Sequence, residues 1–236
     1  MFRALKNGLK QTLYERIGVS FNPHGVPFAL GKYLKDRSDL VVIDVGAHQG
    51  DFTRAVVRLC GVGRGILVEP QPQHARCLRM EFREPKFEVV EAALSDRVGR
   101  LLLEINAFDA TTSILKTCRN MPELAALDVR SIAKVDCCTT ILDLVVEQSK
   151  LSHVDLLKLD VQGAEHLVLH GGQNALAMTN MIWIEVSFKR LYENACLNHE
   201  IYDLLTHKGF ALFELESGFR SPSGELIQAD ALFIKK

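Results

Sequence analysis

The stretch VIDVGAHQGDFT, residues 42–53, decides the fold of this chain. Its apolar start predicts a buried strand that ends at Val45, and a helix is predicted to begin at Asp51. Between them, Gly46 lets the chain turn tightly, and Gly50 lets a ligand approach the backbone closely. In open α/β sheets, ligands bind beyond the carboxyl ends of the strands, where the strand order reverses. We therefore expect this turn to line a binding site.

Elsewhere in the chain, short apolar runs alternate with stretches of helical periodicity. The strand-like runs cover residues 40–45, 65–69, 87–92, 154–159 and 181–186. The helical stretches cover residues 51–60, 73–83, 141–148, 164–170 and 198–207. This alternation predicts an α/β fold with a Rossmann-like, mostly parallel sheet and helices on both faces.

Four further strand-like runs interrupt or follow this alternation. Residues 100–105 and 132–138 flank a polar loop that includes residues 111–113, and we interpret them as an insertion near the substrate side. Residues 210–214 and 229–234 are separated by a Ser-Pro-Ser-Gly turn. This spacing predicts an antiparallel pair at the end of the sheet.

The bulk composition fits one globular domain. The 236 residues include 28 Lys and Arg and 29 Asp and Glu, for a formal net charge of -1. The basic residues are dispersed, whereas nonspecific binding of nucleic acid needs clustered Lys and Arg, so a nucleic-acid partner is disfavoured. The six cysteines have no CxxC spacing and no nearby histidine pair, so we expect reduced thiols and no metal site.

Residues 1–39 are predicted to form an N-terminal helical segment ahead of a domain that covers residues 40–236. Apolar residues fall on one stripe of residues 2–17 and basic residues lie off it, which predicts a basic amphipathic helix. Such a helix packs on its own domain or makes weak contact with a membrane surface. The sequence has no run of roughly 18 apolar residues and no cleavable leader pattern, so the expected location is cytoplasmic.

The turn after the first strand favours a nucleoside over a dinucleotide. Its spacing is GxxxG, and His48 stands where the dinucleotide pattern GxGxxG has its middle glycine. Asp44 brings a negative charge, which suits a ligand with positive charge better than one with phosphates. Glu69 closes the second predicted strand, where a carboxylate accepts hydrogen bonds from both hydroxyls of a ribose. The small apolar residues of 92–94 leave room for an adenine, and residues 95–96 are within reach of its amino group.

Four motifs carry a resemblance to a known family. They are VIDVGAHQGDFT at 42–53, VEPQPQHARCL at 68–78, EAALSD at 91–96 and LLKLDVQGAEHLVLHGG at 156–172. Together they resemble the FkbM-type family of class I S-adenosylmethionine-dependent methyltransferases. The resemblance covers residues 40 to about 185, and its last motif is the most specific. The chain departs from the usual family pattern at two positions, where His48 replaces Asn and Gln162 replaces Glu.

The resemblance implies a methyltransferase that binds S-adenosylmethionine and methylates a hydroxyl of a small molecule or glycan, such as a sugar, glycolipid or secondary metabolite. The cofactor is expected to lie against the glycine-bounded turn and the ends of the next strands. The residues expected to contact it are Asp44, Gly46, Ala47, His48, Gln49, Gly50, Phe52, Thr53, Glu69, Pro70, Ala93, Leu94, Ser95, Asp160 and Gln162.

Methylation of a hydroxyl needs a group that removes its proton, because a neutral hydroxyl is a poor nucleophile. Asp160, at the end of the fourth strand of the alternation, is the first candidate, and Glu165 and Glu185 are the second choices. Lys158 shares the strand face of Asp160 and is placed to pair with it. These acids form no compact metal-binding motif, so no metal is predicted. Two alternatives stay open, a nicotinamide-dependent oxidoreductase and a nucleoside-binding module without turnover.

Overall fold

The computed structural model describes residues 27–118, 121–124 and 128–236. The predicted amphipathic helix at residues 2–17 lies outside the described residues. Seven α-helices are described: α1 (Phe28–Leu34), α2 (Asp51–Leu59), α3 (Pro72–Glu81), α4 (Leu142–Gln148), α5 (Glu165–His170), α6 (Gln173–Ala177) and α7 (Asn198–His207). None of the helices in the described part of the chain has the length and apolar composition needed to span a bilayer.

Ten strands accompany these helices in the described ranges. They are β1 (Leu40–Val45), β2 (Val62–Val68), β3 (Phe87–Val90), β4 (Ala93–Leu94), β5 (Gly99–Asn106), β6 (Ser131–Thr140), β7 (Val154–Leu159), β8 (Thr179–Ser187), β9 (Phe210–Ser217) and β10 (Gln228–Lys235). Seven of them form one sheet in the order β3-β2-β1-β7-β8-β10-β9. Pairs from β3 to β8 along this order are parallel, and β10 is antiparallel to both of its neighbours. The predicted fold class is confirmed.

Helices cover both faces of the sheet because successive strand residues point to opposite sides. On one face, α1 and α2 pack with Val42 and Leu156 through Leu30, Leu34 and Val56, all of them buried. The opposite face carries α4 to α7, whose apolar side chains pack on the alternate strand residues such as Ile43 and Leu157. The sheet is therefore buried between two helical layers.

The insertion predicted between the third and fourth parallel strands forms a small sheet of its own. Its order is β4-β6-β5, and β5 and β6 pair antiparallel over most of their length. Between these two strands, a short 3-10 turn covers Asp109–Thr111. Neighbouring residues of β6 face opposite sides, since Cys137 is buried and Cys138 is exposed. The insertion thus adds a second wall beside the carboxyl edge of the main sheet.

The strand order reverses between β1 and β7, and the glycine turn lies at this point. Gly46 has φ +74, and its N–H donates to the carbonyl of Val68 at 3.0 Å. A Cβ on Gly46 would overlap the backbone carbonyl oxygen of Asp160, the first residue after β7. Only glycine allows both this left-handed conformation and this close approach of two chain segments.

We expect Gly46→Ala to lower the free energy of unfolding by more than the roughly 1–2 kcal/mol that left-handed backbone costs a residue with a Cβ. The excess comes from the overlap with Asp160. Gly209→Ala is the matched control, because Gly209 has φ +85 but a Cβ added there would meet no atom within 4 Å. Urea denaturation of both variants measures the difference. Equal losses in the two variants would show that the close approach contributes nothing.

Candidate active site

A cavity of about 740 Å³, including its open mouth, lies where the strand order reverses. Its walls are the loops that follow β1, β2, β3 and β7, together with the 3-10 turn of the insertion. The residues that line it include Gly46, His48, Glu69, Pro70, Gln71, Ala92, Ala93, Leu94, Leu103, Asp109, Thr112, Ser113, Ile114, Asp160, Val161 and Gln162.

Glu69 is held at the cavity wall by backbone hydrogen bonds. Its Oε2 accepts the N–H of His48 at 2.8 Å, and its Oε1 accepts the N–H of Gln71 at 2.8 Å. Burial raises the pKa of Glu69, while these two hydrogen bonds oppose the shift. Each carboxylate oxygen has a second lone pair, so the fixed carboxylate is able to accept two further hydrogen bonds from a ligand in the cavity.

A buried cation connects the two strands at the reversal point. Asp44 of β1 and Lys158 of β7 are register partners, and Lys158 Nζ lies 3.2 Å from Asp44 Oδ1. The same Nζ donates to the carbonyl of Gly46 at 2.7 Å and lies 3.6 Å from Asp160 Oδ2. Thr53 donates its hydroxyl to the other oxygen of Asp44 at 2.7 Å. One ammonium group thus binds the strand, the turn and the acid at the cavity wall.

The charges in this cluster favour a protonated lysine. Burial by itself lowers the pKa of Lys158, but the carboxylates of Asp44 and Asp160 outweigh it and raise the pKa above its ordinary value. Asp44 is fully buried, whereas the side chain of Asp160 is 42% exposed toward the cavity. The accessible carboxylate of the cluster is therefore Asp160.

Glu165 faces the backbone of its own loop and does not line the cavity. Its Oε1 accepts the N–H of Val161 at 2.9 Å and that of Gly163 at 3.3 Å. Gln162 and Gly163 both have positive φ, and this bend turns the two N–H groups toward Glu165. Burial raises the pKa of Glu165 to about 7 despite these hydrogen bonds. Through these two hydrogen bonds, Glu165 fixes the loop that carries Asp160 and Gln162.

Glu185 lies behind Asp160 in a hydrogen-bonded network, outside the cavity lining. Its Oε2 accepts the side-chain amide of Gln228 at 2.6 Å and that of Gln162 at 3.3 Å. Burial, followed by the charges of Asp160 and Glu165, raises the pKa of Glu185 well above its ordinary value.

Gln162 joins Asp160 to this network. Its amide donates to Asp160 Oδ1 at 2.9 Å, and its carbonyl oxygen is 2.8 Å from the hydroxyl of Tyr192. The Tyr192 hydroxyl also lies 3.0 Å from the carbonyl oxygen of Thr111 in the insertion. The amide orientation of Gln162 is therefore fixed from both ends.

The predicted site residues divide into two groups. Eight of the predicted cofactor contacts line the cavity: Gly46, His48, Glu69, Pro70, Ala93, Leu94, Asp160 and Gln162. The remaining seven stand outside the lining: Asp44, Ala47, Gln49, Gly50, Phe52, Thr53 and Ser95. Of these, Asp44, Phe52 and Thr53 support Lys158, whose Nζ is 5.8 Å from the centre of the Phe52 ring. Of the three predicted catalytic acids, the cavity wall includes Asp160 alone.

Several residues of the site were not predicted from the sequence. Asp109 and Ile114 of the insertion line the cavity, and His74 of α3 contacts Asp109. Tyr192 and Gln228 hold the network behind the cavity. His74 lies inside the motif at residues 68–78, and its place in that motif is the one sequence signal that would have indicated a role for it. Asp109, Ile114 and Tyr192 lie in residues 106–134 and 188–197, segments that the sequence indicates for the acceptor pocket but in which no motif singles out a residue.

The fold and the site together define a class of proteins. The mostly parallel seven-stranded sheet, with its reversal between β1 and β7 and its antiparallel strand β10, is the fold of class I methyltransferases. Solved structures share this fold. Methyltransferase FkbM from Methylobacillus flagellatus KT matches 92% of this chain with a TM-score of 0.59 and 14% identity, and this chain spans 49% of that structure. Magnesium protoporphyrin IX methyltransferase from Synechocystis PCC 6803 has a TM-score of 0.51 and 10% identity. The match covers 88% of this chain and 77% of the Synechocystis chain.

The family follows from sequence comparison. The model of the methyltransferase FkbM domain matches residues 44–212. A curated relative, 2-O-methyltransferase NoeI of Sinorhizobium fredii, is 30% identical over 240 residues, which cover 95% of this chain and 96% of the relative. The chain belongs to the FkbM family of class I methyltransferases, as its motifs predict.

We expect Lys158→Met to lower the free energy of unfolding by about 3–5 kcal/mol, because it leaves the buried Asp44 without a counter-charge. Adding Asp44→Asn should restore part of this loss, since the double variant has no buried net charge at this place. Guanidinium denaturation of the single and double variants measures the coupling.

Arg100→Met is the control for this coupling. It breaks the exposed ion pair with Asp136 and should leave stability nearly unchanged. Additive losses in the Lys158 and Asp44 variants would contradict the interaction.

Proposed function

We propose that this chain transfers a methyl group from S-adenosylmethionine to a hydroxyl oxygen of a carbohydrate or a related small molecule. The observation that carries the proposal is the acidic cavity at the strand reversal, with Glu69 directly after β2 and Asp160 directly after β7 on its wall. Membership of the FkbM family supports the reaction class. The 2-O-methyltransferase name of the relative supports oxygen as the atom that is methylated.

The chemistry of the cavity wall fits this cofactor better than a dinucleotide. The wall carries the carboxyl groups of Glu69, Asp109 and Asp160, and its described residues include no Lys or Arg. Such a wall attracts the ammonium and sulfonium charges of S-adenosylmethionine, whereas the phosphates of a nicotinamide dinucleotide would meet repulsion. A neighbour with the same fold, the Synechocystis enzyme, holds this cofactor.

Each part of the wall has a proposed task in holding the cofactor. The fixed carboxylate of Glu69 would accept hydrogen bonds from the ribose hydroxyls, and Ala92, Ala93 and Leu94 would contact the adenine. Gly46 and His48 would contact the remainder through the turn. Bound there, S-adenosylmethionine supplies a methyl group on a sulfonium, which is already activated for transfer.

We propose that Asp160 receives the proton of the acceptor hydroxyl. Its carboxylate is open to the cavity, and its orientation is fixed by Gln162 on one oxygen and by the Lys158 ion pair on the other. A positioned base contributes roughly 10²- to 10⁴-fold to such a step. Glu165 and Glu185 stand behind the wall with raised pKa values, so we assign them to positioning: Glu165 fixes the loop, and Glu185 fixes the amide of Gln162.

The acceptor would approach along the insertion. A second groove shares Ser113 with the cavity and is lined mainly by polar residues: Glu104, Asn106, Lys116, Thr117 and Glu193. Polar side chains of both charge signs together with hydroxyl and amide groups provide the donors and acceptors that a carbohydrate needs. This groove supports a hydroxyl-rich acceptor.

Calorimetric titration tests the cofactor site. We expect the wild-type chain to bind S-adenosylmethionine and S-adenosylhomocysteine, and Glu69→Gln to weaken both by about 10- to 100-fold, the effect of losing hydrogen bonds to a charged group. Glu91→Gln is the control, because Glu91 pairs with Arg79 outside the cavity. Binding of NAD without binding of either sulfur nucleoside would contradict the proposed function.

Turnover of radiolabelled S-adenosylmethionine with a panel of oligosaccharides and glycolipids tests the base. We expect Asp160→Asn to keep cofactor affinity within a few-fold and to lower kcat on the order of 100-fold or more. Asp203→Asn, at an exposed position on α7, should change neither quantity. Full turnover by Asp160→Asn would remove Asp160 from the role of base.

A further inference from the structure

Two histidines and an aspartate from three separate segments meet at the mouth of the cavity. His48 comes from the glycine turn, His74 from the first turn of α3 and Asp109 from the 3-10 turn of the insertion. His74 Nε2 lies 2.9 Å and His48 Nε2 lies 3.1 Å from the same oxygen, Asp109 Oδ2. Within the described part of the chain, one set of three His, Cys, Asp or Glu side chains has all its possible ligand atoms within 4.8 Å of one another, and it is this one.

These distances are a few tenths of an ångström shorter than the spacing of neighbouring ligand atoms around a zinc ion. With bonds of about 2.1 Å at tetrahedral angles, adjacent ligand atoms lie roughly 3.4 Å apart, so a small outward shift of Asp109 would admit the ion. Two imidazole nitrogens and one carboxylate oxygen on one side of a point form a facial set that leaves the other side open for water. The side chains of His48, His74 and Asp109 are 32%, 13% and 38% exposed, so an ion has access from solvent.

A second observation points to a missing ligand on His48. Its Nε2 is buried and makes no aligned hydrogen bond with any described residue, although Asp109 Oδ2 is close. The contact of this nitrogen with Asp109 Oδ2 at 3.1 Å is misaligned and gains less than a full hydrogen bond, whereas an ion between the three side chains would give the nitrogen a direct ligand bond. The two imidazole rings lie together, with their centroids 4.3 Å apart, so both Nε2 atoms reach the same carboxylate.

The histidines are fixed before any ion arrives. His48 has φ +47, and its backbone N–H is held by Glu69 at 2.8 Å. His74 is fixed by its position in α3, which begins with Pro72. Asp109 is the partner from the insertion, and its 3-10 turn is closed by a hydrogen bond from the Thr111 N–H to the Phe108 carbonyl at 3.0 Å.

We propose that His48, His74 and Asp109 bind one divalent transition-metal ion such as Zn²⁺, which fastens the insertion to the glycine turn at the mouth of the cavity. The ion joins the wall formed by the parallel sheet to the wall formed by the insertion. The proposal departs from the sequence-based prediction of no metal. It does not rest on the proposed function, because the ion binds without cofactor or acceptor.

The test is titration of the chelator-treated full chain with Zn²⁺ by calorimetry and with Co²⁺ by absorption. We expect one ion per chain and visible d–d bands without the near-ultraviolet thiolate band that cysteine ligands produce. His74→Ala and Asp109→Asn should each weaken binding on the order of 100-fold. The ion should raise the Tm of the wild type but not that of Asp109→Asn.

His153→Ala is the matched control, since His153 lies 3.3 Å from Asp155 at the surface without a second histidine. It should bind the ion as tightly as the wild type. Circular dichroism shows whether each variant is folded. Because His74 and Asp109 lie in different elements, the test still holds if only one of the two ligand variants folds. Absence of binding, a thiolate band, or wild-type affinity in both folded ligand variants would overturn the proposal.

Discussion

The buried ion pair between Asp44 and Lys158 is the interaction on which the site depends. It bridges β1 and β7 at the one place where the sheet reverses its order. An ion pair in a protein interior is stable only when the remaining hydrogen-bonding groups are satisfied. Thr53 donates to the second oxygen of Asp44 and the carbonyl of Gly46 accepts from Lys158, and these bonds fix the turn and the helix that follows it. The position of the cavity floor is a consequence of this cluster.

The same cluster separates the carboxyl groups by function. Asp160 shares the lysine and faces the cavity, whereas Glu165 and Glu185 lie behind it with raised pKa values. Acids grouped in one small region cannot all carry a charge at low cost, because like charges in a desolvated region repel strongly. One accessible carboxylate beside buried acids with raised pKa values is the arrangement that burial and repulsion favour.

The fold was largely predictable because its signals are local. The strand at Leu40–Val45 and the helix at Asn198–His207 have the predicted bounds, since each is an apolar pattern between clear ends. The second strand begins at Val62, three residues before the predicted start. Gly63 and Gly65 weaken its sequence pattern, yet pairing with β1 extends it. Tertiary pairing of this kind has no signature in the strand's own sequence.

The residues of the site were predictable only where they lie within a single sequence motif. Gly46 and Glu69 follow from the turn and from the end of a strand, but His74 and Asp109 meet across 35 positions of sequence. Sequence also left open whether Glu165 faces the cavity or its own loop. The positive φ angles of Gln162 and Gly163 turn the loop so that Glu165 faces its own backbone. A glutamine in the sequence does not predict a positive φ angle.

The insertion is one contiguous stretch, and its two long strands pair chiefly with each other, while its loop contacts the segment after β8 through Tyr192. One wall of the cavity is thus carried by this insertion, while the buried main sheet carries the glycine turn, Lys158 and Glu69. An exchange of β5 and β6 between relatives would therefore reshape one wall of the cavity and leave the hydrophobic layers of the main sheet untouched. The two walls can therefore change separately except where they touch, as they do at Thr111 beside Tyr192 and at Asp109 beside the two histidines.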